Sequence, residues 1–215
     1  SRSTTLMGNA IIMAVDQVKT SILEMASEML RVPVERLEAK NRLVYDKEEP
    51  QTSLAFKEVA ARCMATGKRL IGQGWWTPPK PSLDPETGQG NPYFVYTYST
   101  HMAEVLVDVE TGEVEVTDYV AAFDVGKAIN PKALEGQIEG GVAMGLGYAL
   151  MEEVAMVEGI PQNINLQDYL IPTTLDMPDV KPIVLEVENK LGPYGAKGIG
   201  EMPNIPATPA ILNAI

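Results

Sequence analysis

The sequence holds one cysteine, Cys63, and one histidine, His101. No internal disulfide can form, and a zinc site built from His and Cys would lack ligands. The missing disulfide framework fits a reducing compartment, so a cytoplasmic location is expected. Basic residues are scarce as well: 17 Lys and Arg face 29 Asp and Glu, for a formal net charge of −12. That balance excludes generic nucleic-acid binding, which needs clustered cations to displace counterions, and disfavours an anionic membrane surface. No apolar run approaches the roughly 18 residues of a transmembrane helix, and no leader peptide is evident before the first amphipathic segment. Neither a P-loop nor a Gly-x-Gly-x-x-Gly between a strand and a helix occurs, which removes the common nucleotide fingerprints. Nothing in the spacing suggests a Ser–His–Asp set. Cys63 lies in an apolar stretch and reads as a small core residue; His101, inside a strand, reads as a core or edge residue.

The composition is that of an ordinary globular protein, 45% hydrophobic and 21% charged, long enough for one or two domains. Leu6 to Leu30 reads as a long helix with an apolar stripe through Ile11, Val15, Val18, Ile22, Met25, Ala26 and Met29. Val32-Pro33 ends it. A short hairpin over Leu37–Ala39 and Arg42–Tyr45 precedes a second helix, capped by Thr52 or Ser53, with Phe56, Val59, Ala60, Cys63 and Met64 as its inner face. A strand ending at Trp75-Trp76 comes next, then a Pro- and Gly-rich surface loop. Residues 93–124 form a long β-hairpin, 133–150 a helix, and further strands lie near 153–158 and 183–188. Helices mixed with antiparallel hairpins predict an α+β fold. The chain reads as one region, 1–215, with subdomains over 1–75 and 93–215.

Three places can carry chemistry. The segment Gly195-Ala-Lys-Gly-Ile-Gly-Glu201 places three glycines and a lysine before one carboxylate, and prolines stand at 203, 206 and 209. Glycine lets a main chain pass close to another body, and proline stiffens the residues around it. A lone acid on such a loop suits a general base, Glu201, set against a bound ligand. Lys197 is placed to hold that acid ionised, to contact a ligand anion, or simply to be solvated. Second, the helix beginning near Glu135-Gly-Gln137 contains Gly140, Gly141, Gly145 and Gly147. Each costs about 1 kcal/mol relative to alanine, so either close helix packing or a ligand facing Gln137 and the helix N-terminus is expected. Third, Ser1-Arg2-Ser3-Thr4-Thr5 at a helix start offers hydroxyls, a guanidinium and free amides to a phosphate, or plain N-caps.

Taken in order, the blocks Ala103–Asp108, Glu110–Val114, Asp124–Pro131, Glu135–Gly140, Asp168–Pro172 and Gly198–Glu201 resemble the molybdenum-binding region of the xanthine dehydrogenase and aldehyde oxidase family. The resemblance spans nearly the whole chain and is weakest over residues 31–73. It implies a molybdenum hydroxylase domain that adds oxygen from water to an N-heterocycle or aldehyde, with the metal held by the dithiolene of a molybdopterin, with or without an added nucleotide. In that reading Glu201 is the general base, Gln137 hydrogen-bonds the pterin, and Ser1, Arg2, Ser3 and Thr4 belong to the segment that takes the cofactor phosphate. Lys197, Gly198 and Gly200 flank the metal pocket. Many relatives carry glutamine at Met144 and Pro-Pro at Met202-Pro203. One cysteine cannot supply iron–sulfur clusters, so 2Fe–2S centres and FAD are expected on other segments or subunits. The chain is then the C-terminal part of a larger subunit, inactive alone, with a small-molecule substrate. A non-catalytic cofactor-binding or assembly module is the alternative.

Overall fold

The computed structural model describes residues 2–80 and 82–215. Two compact units emerge: Leu6–Pro79, and Lys80–Ile215 together with the residues up to Thr5. Helix α1 (Ser3–Leu30) starts in the latter and continues through the former.

Within Leu6–Pro79, α1 buries only the second half of its apolar stripe. Ile22, Met25 and Ala26 pack with Leu37, Val44, Val59 and Cys63, whereas Ile11 and Val15 remain exposed and line a shallow apolar groove with Val18, Ile22, Phe56 and Gly72. Arg31, with φ 58°, ends the helix ahead of Pro33. Strands β1 (Leu37–Lys40) and β2 (Leu43–Asp46) pair across Asn41 and Arg42, both in the left-handed region that tight hairpins need. Neither Thr52 nor Ser53 caps a helix. Ser53–Ala55 forms a third strand, β3, on β2, and α2 (Phe56–Ala65) starts after Ala55, whose amide donates to the Glu58 carboxylate at 3.2 Å. Val59 and Cys63 are its buried residues; Met64 points outward. No strand ends at Trp75-Trp76. That segment lies against α1 instead, where a methyl group on Gly72 would fall 1.8 Å from the Ala14 carbonyl oxygen. The Gln17 amide holds it by donating to the Gln73 carbonyl at 2.7 Å and accepting the Gln73 amide at 3.1 Å.

In the other unit, β4 (Ser82–Leu83) and β5 (Gly90–Asn91) make a small surface hairpin. The main sheet has the order β10-β7-β6. β6 (Ser99–Val107) and β7 (Val114–Asp124) form the hairpin expected over 93–124, but its first strand begins only at Ser99, with Ala103 opposite Tyr119 and a register shift at Glu104/Val105. α3 (Pro131–Leu150) comes next, its N-terminus closed by the Asn130 side chain, which accepts from the Ala133 amide at 3.1 Å. β8 (Met156–Val157) and β9 (Ile160–Pro161) form a second small hairpin, shorter than the strand expected there. β10 (Asp179–Leu185) then runs parallel to β7, with Ile183 opposite Ala122. The fold is α+β, but no local pattern announces this parallel pairing. α4 (Ala207–Ala214) lies on α3 and β6. Tyr119, Ala121 and Phe123 of β7, Ile138, Val142 and Leu146 of α3, and Ile211 of α4 form the buried core. No helix among the described residues is long and apolar enough to cross a membrane.

The glycines of α3 are mostly explained by packing. A methyl group on Gly141 would lie 2.3 Å from Pro203 Cβ, on Gly145 2.2 Å from Ala207 Cβ, and on Gly147 2.2 Å from a Glu152 carboxylate oxygen. Only at Gly140, of these four, would it meet nothing within 4 Å. Replacing Gly145 with Val should therefore lower unfolding stability by about 1–3 kcal/mol through overpacking. Gly140→Ala should raise it by about 1 kcal/mol through helix propensity. Urea unfolding of the two variants measures both signs.

His101 sits partly buried beside the core, its Nδ1 2.7 Å from the Tyr119 hydroxyl and its ring edge-on to Phe123. Its Nε2 is buried without a hydrogen-bond partner among the described residues. Burial pushes the imidazole pKa down to about 4 and the Tyr119 phenol up. Because the unfolded chain takes up a proton near pH 6.5 and the folded chain does not until about pH 4, stability is full above pH 6.5 and falls as pH drops through that window. A loss of order 3 kcal/mol between pH 7 and 4 is expected from this group. His101→Phe should flatten that part of the profile, as urea unfolding across the range would show.

Candidate functional site

The site is organised where β7 ends. Asp124 closes the strand, and the chain turns at Gly126, whose φ is 61°. Opposite it, Gly195 has φ 86°, and the two main chains touch: a methyl group on Gly126 would fall 2.2 Å from the Gly195 carbonyl oxygen. Only glycine reconciles a positive φ with that approach. The contact lets Gly126 bridge Ala196 in antiparallel fashion. The Lys127 amide donates to the Gly195 carbonyl at 3.0 Å, and the Lys197 amide to the Val125 carbonyl at 2.9 Å. The segment leading to Glu201 is thus sewn to the end of the central strand.

Beyond Lys197 the support comes from side chains. The Thr97 hydroxyl donates to the Gly198 carbonyl at 3.3 Å, and the Gln137 amide to the Gly200 carbonyl at 2.5 Å. The loop from Lys197 to Met202 forms part of two cavities. One, about 290 Å³, is lined by Thr4, Asn130, Gln137, Lys197, Ile199 and Gly200 among others. The second, about 630 Å³, is lined by Arg2, Thr5, Tyr96, Thr97, Gly198 and Glu201, with further aromatic and apolar wall from Tyr93, Phe94 and Met202. The side chain of Glu201 is exposed.

Charge in the first cavity is balanced. Lys197 Nζ lies 2.5 Å from Asp124 Oδ2, with only 9% and 11% of the two side chains exposed. Burial works to raise the Asp124 pKa, but the Lys197 hydrogen bond, the Gly126 amide and the Lys197 charge together hold it below the ordinary carboxylate range. Lys127 pairs with Glu186 at 3.0 Å, and Glu186 also accepts the Ala128 amide, the main reason its pKa is lowered. The N-terminal turn of α3 contributes Ala133 to the same wall, and helix N-termini favour anions.

Seven of the site residues expected from sequence fall on these two walls. Thr4, Gln137, Lys197 and Gly200 line the first cavity; Arg2, Gly198 and Glu201 line the second. Ser3 begins α1, and Ser1 lies outside the described residues. One expectation changes: Lys197 pairs with Asp124, not with Glu201. Sequence reasoning missed Asp124, Thr97 and Thr5. Asp124 and Thr97 act across 73 and 101 residues of chain, and the only hint was that Asp124 opens the Asp124–Pro131 block.

The donor set suits a metal that brings its own organic ligands. Among the described residues no three His, Cys, Asp or Glu side chains converge on a point where an ion could be held, as a structural or catalytic metal bound by protein would require. Amide, hydroxyl, main-chain and helix-terminal donors gather on the two walls instead, beside a partly apolar surface. The chemistry of such a lining, hydrogen-bond donors beside apolar surface, is compatible with a pterin ring and a phosphate.

Comparison with known proteins identifies the family. The family description "molybdopterin cofactor-binding domain" matches residues 1–178. A probable xanthine dehydrogenase subunit of Bacillus subtilis strain 168 is 34% identical over 215 residues, covering 100% of this chain and 28% of that protein. The gamma subunit of the 6-hydroxypseudooxynicotine dehydrogenase complex of Paenarthrobacter nicotinovorans is 32% identical, covering 100% and 26%. The crystal structure of quinoline 2-oxidoreductase from Pseudomonas putida 86 matches with a TM-score of 0.73 at 32% identity, over 91% of this chain and 24% of that one. The chain spans about a quarter of the length of these relatives.

Proposed function

Because the chain belongs to the molybdopterin cofactor-binding domain family, in the xanthine dehydrogenase and aldehyde oxidase group, we propose that it carries the general base of a molybdenum hydroxylase. The observation behind this reading is the loop of Lys197 to Met202, which joins the wall bearing Gln137 and Thr4 to the wall bearing Glu201 and Arg2. A cofactor bound along the first wall would lie on the same loop that carries the acid.

When bound, the molybdenum cofactor supplies the redox chemistry, taking two electrons from a substrate carbon as an oxygen atom from water is added. The chain's own residues bind, orient and move protons. Gln137, already donating to Gly200 through one amide hydrogen, keeps a second hydrogen and its carbonyl oxygen for the pterin. Arg2, Ser3 and Thr4 offer donors to the cofactor phosphate, and Ser1, their neighbour in sequence, adds a hydroxyl. Gly198 and Gly200 keep side-chain bulk off the loop, and Lys197 flanks it. Glu201 accepts at its carboxylate the proton that water gives up, and later releases it to solvent. Tyr96 and Phe94 give the second cavity an aromatic flank suited to a flat heterocycle or an aldehyde.

The same proposal makes residues 1–215 the C-terminal molybdenum-binding region of a larger subunit, with 2Fe–2S and FAD on its other segments or partner subunits. The lack of a disulfide framework supports a cytoplasmic location. A non-catalytic cofactor-binding or assembly module is the second reading, favoured by the exposure of Glu201. Glu201→Gln in the full-length complex separates the two. The general-base reading expects molybdenum content to stay at the wild-type level while turnover of purine, quinoline and aldehyde test substrates falls about 10²–10⁴-fold. Turnover at the wild-type rate would remove Glu201 from the mechanism.

A further inference from the structure

The geometry points to Asp124 and Lys197 as a pair of positioning residues that fix the aim of the Glu201 loop, a role that rests on the general-base reading above. Both side chains are about nine-tenths buried, and they meet at 2.5 Å. A buried charge is tolerated when its partner is present and is strongly destabilising when the partner is removed. Each of the two charges therefore depends on the other staying in place.

That arrangement is tied to main chain on both sides. On the Asp124 side, Oδ1 accepts the Gly126 amide at 3.2 Å, and the Val187 amide also contributes to holding the carboxylate. On the Lys197 side, the amide of the same residue donates to Val125. Lys197 is thus gripped at its main chain by the residue after Asp124 and at its tip by Asp124 itself. The grip comes four residues before Glu201, a span of up to about 13 Å in extended chain. A small rotation at Lys197 would be magnified at the carboxylate, and a misplacement of about 1 Å can cost roughly 100-fold in rate.

A different role for Lys197, as a free cation on the first cavity for a ligand anion, fits less well. Its charge is neutralised by Asp124, and its ammonium also lies 5.9 Å from the centre of the Tyr98 ring. The two roles differ in sign when Asp124 is neutralised. Asp124→Asn frees the lysine: an anion-binding role would then gain, whereas a positioning role loses.

The test uses the full-length complex with Lys197→Met, Asp124→Asn, Glu201→Gln and the double variant Lys197→Met/Glu201→Gln. Molybdenum content, hydrogen–deuterium exchange of the peptide over residues 198–204, and turnover of purine, quinoline and aldehyde substrates are measured. The positioning role expects molybdenum to be retained in Lys197→Met and Asp124→Asn, exchange to quicken in that peptide, and kcat to fall about 10–100-fold with little change in KM. The double variant should be no slower than Glu201→Gln alone, because Lys197 acts through Glu201. Should Lys197→Met fail to assemble, Asp124→Asn carries the same expectation in exchange and kcat. Multiplicative losses in the double variant would overturn the positioning role alone, as would molybdenum lost from both single variants or Asp124→Asn turning over at or above the wild-type rate. Glu201→Gln at the wild-type rate would instead overturn the general-base reading and this role with it.

Discussion

The close approach of two main chains at Gly126 and Gly195 is the constraint on which the rest of the site depends. A side chain at Gly126 would strike the Gly195 carbonyl oxygen, and both glycines hold positive φ. Their contact allows the bridge between Gly126 and Ala196, the reciprocal amide bonds of Lys127 and Lys197, and the meeting of Asp124 with Lys197. The loop that carries Glu201 is therefore paired to the chain that continues the sheet's central strand, and β7 is itself held on both edges by β6 and β10. Rigid elements make more exact sites than free loops do.

Downstream of Glu201 the chain is held in another way. Pro203 and Ala207 sit against the small residues of α3, Gly141 and Gly145, and the Thr208 hydroxyl donates to the Gly145 carbonyl at 2.8 Å. The acid is thus bracketed: hydrogen bonds and a buried ion pair before it, close van der Waals packing after it. Gln137 belongs to both brackets, since it rises from α3 and reaches the Gly200 carbonyl.

Local patterns make much of this legible in the sequence. Helical spacing locates α1, α2 and α3, and alternation locates the β6–β7 hairpin. Residue chemistry draws attention to Glu201, Gln137 and the start of α1. Failures come where partners distant in sequence decide the outcome. Ser53–Ala55 can cap a helix or extend a strand, and pairing with β2 settles it. Trp75 and Trp76 favour strands by type, yet the segment is claimed by Gln17 and by close contact with α1. The parallel pairing of β10 with β7 leaves no local trace. Lys197 stands out by its neighbours, but its partner Asp124 lies 73 residues earlier, and the nearby acid, Glu201, is the one that local spacing brings to mind.

The glycines of α3 also bear on the order in which the protein is built. Five of them in one helix, Gly136, Gly140, Gly141, Gly145 and Gly147, forfeit about 5 kcal/mol of intrinsic helicity relative to alanine. The packing partners at Pro203 and Ala207 lie far downstream of that helix and leave the ribosome well after it. Until that stretch is made, α3 has the upstream β7 face to pack on but lacks the partners that its small residues admit. The acid-bearing loop lies between α3 and α4 in sequence, so its downstream anchor, Pro203 and Ala207 against Gly141 and Gly145, is among the last parts of the site to be synthesised.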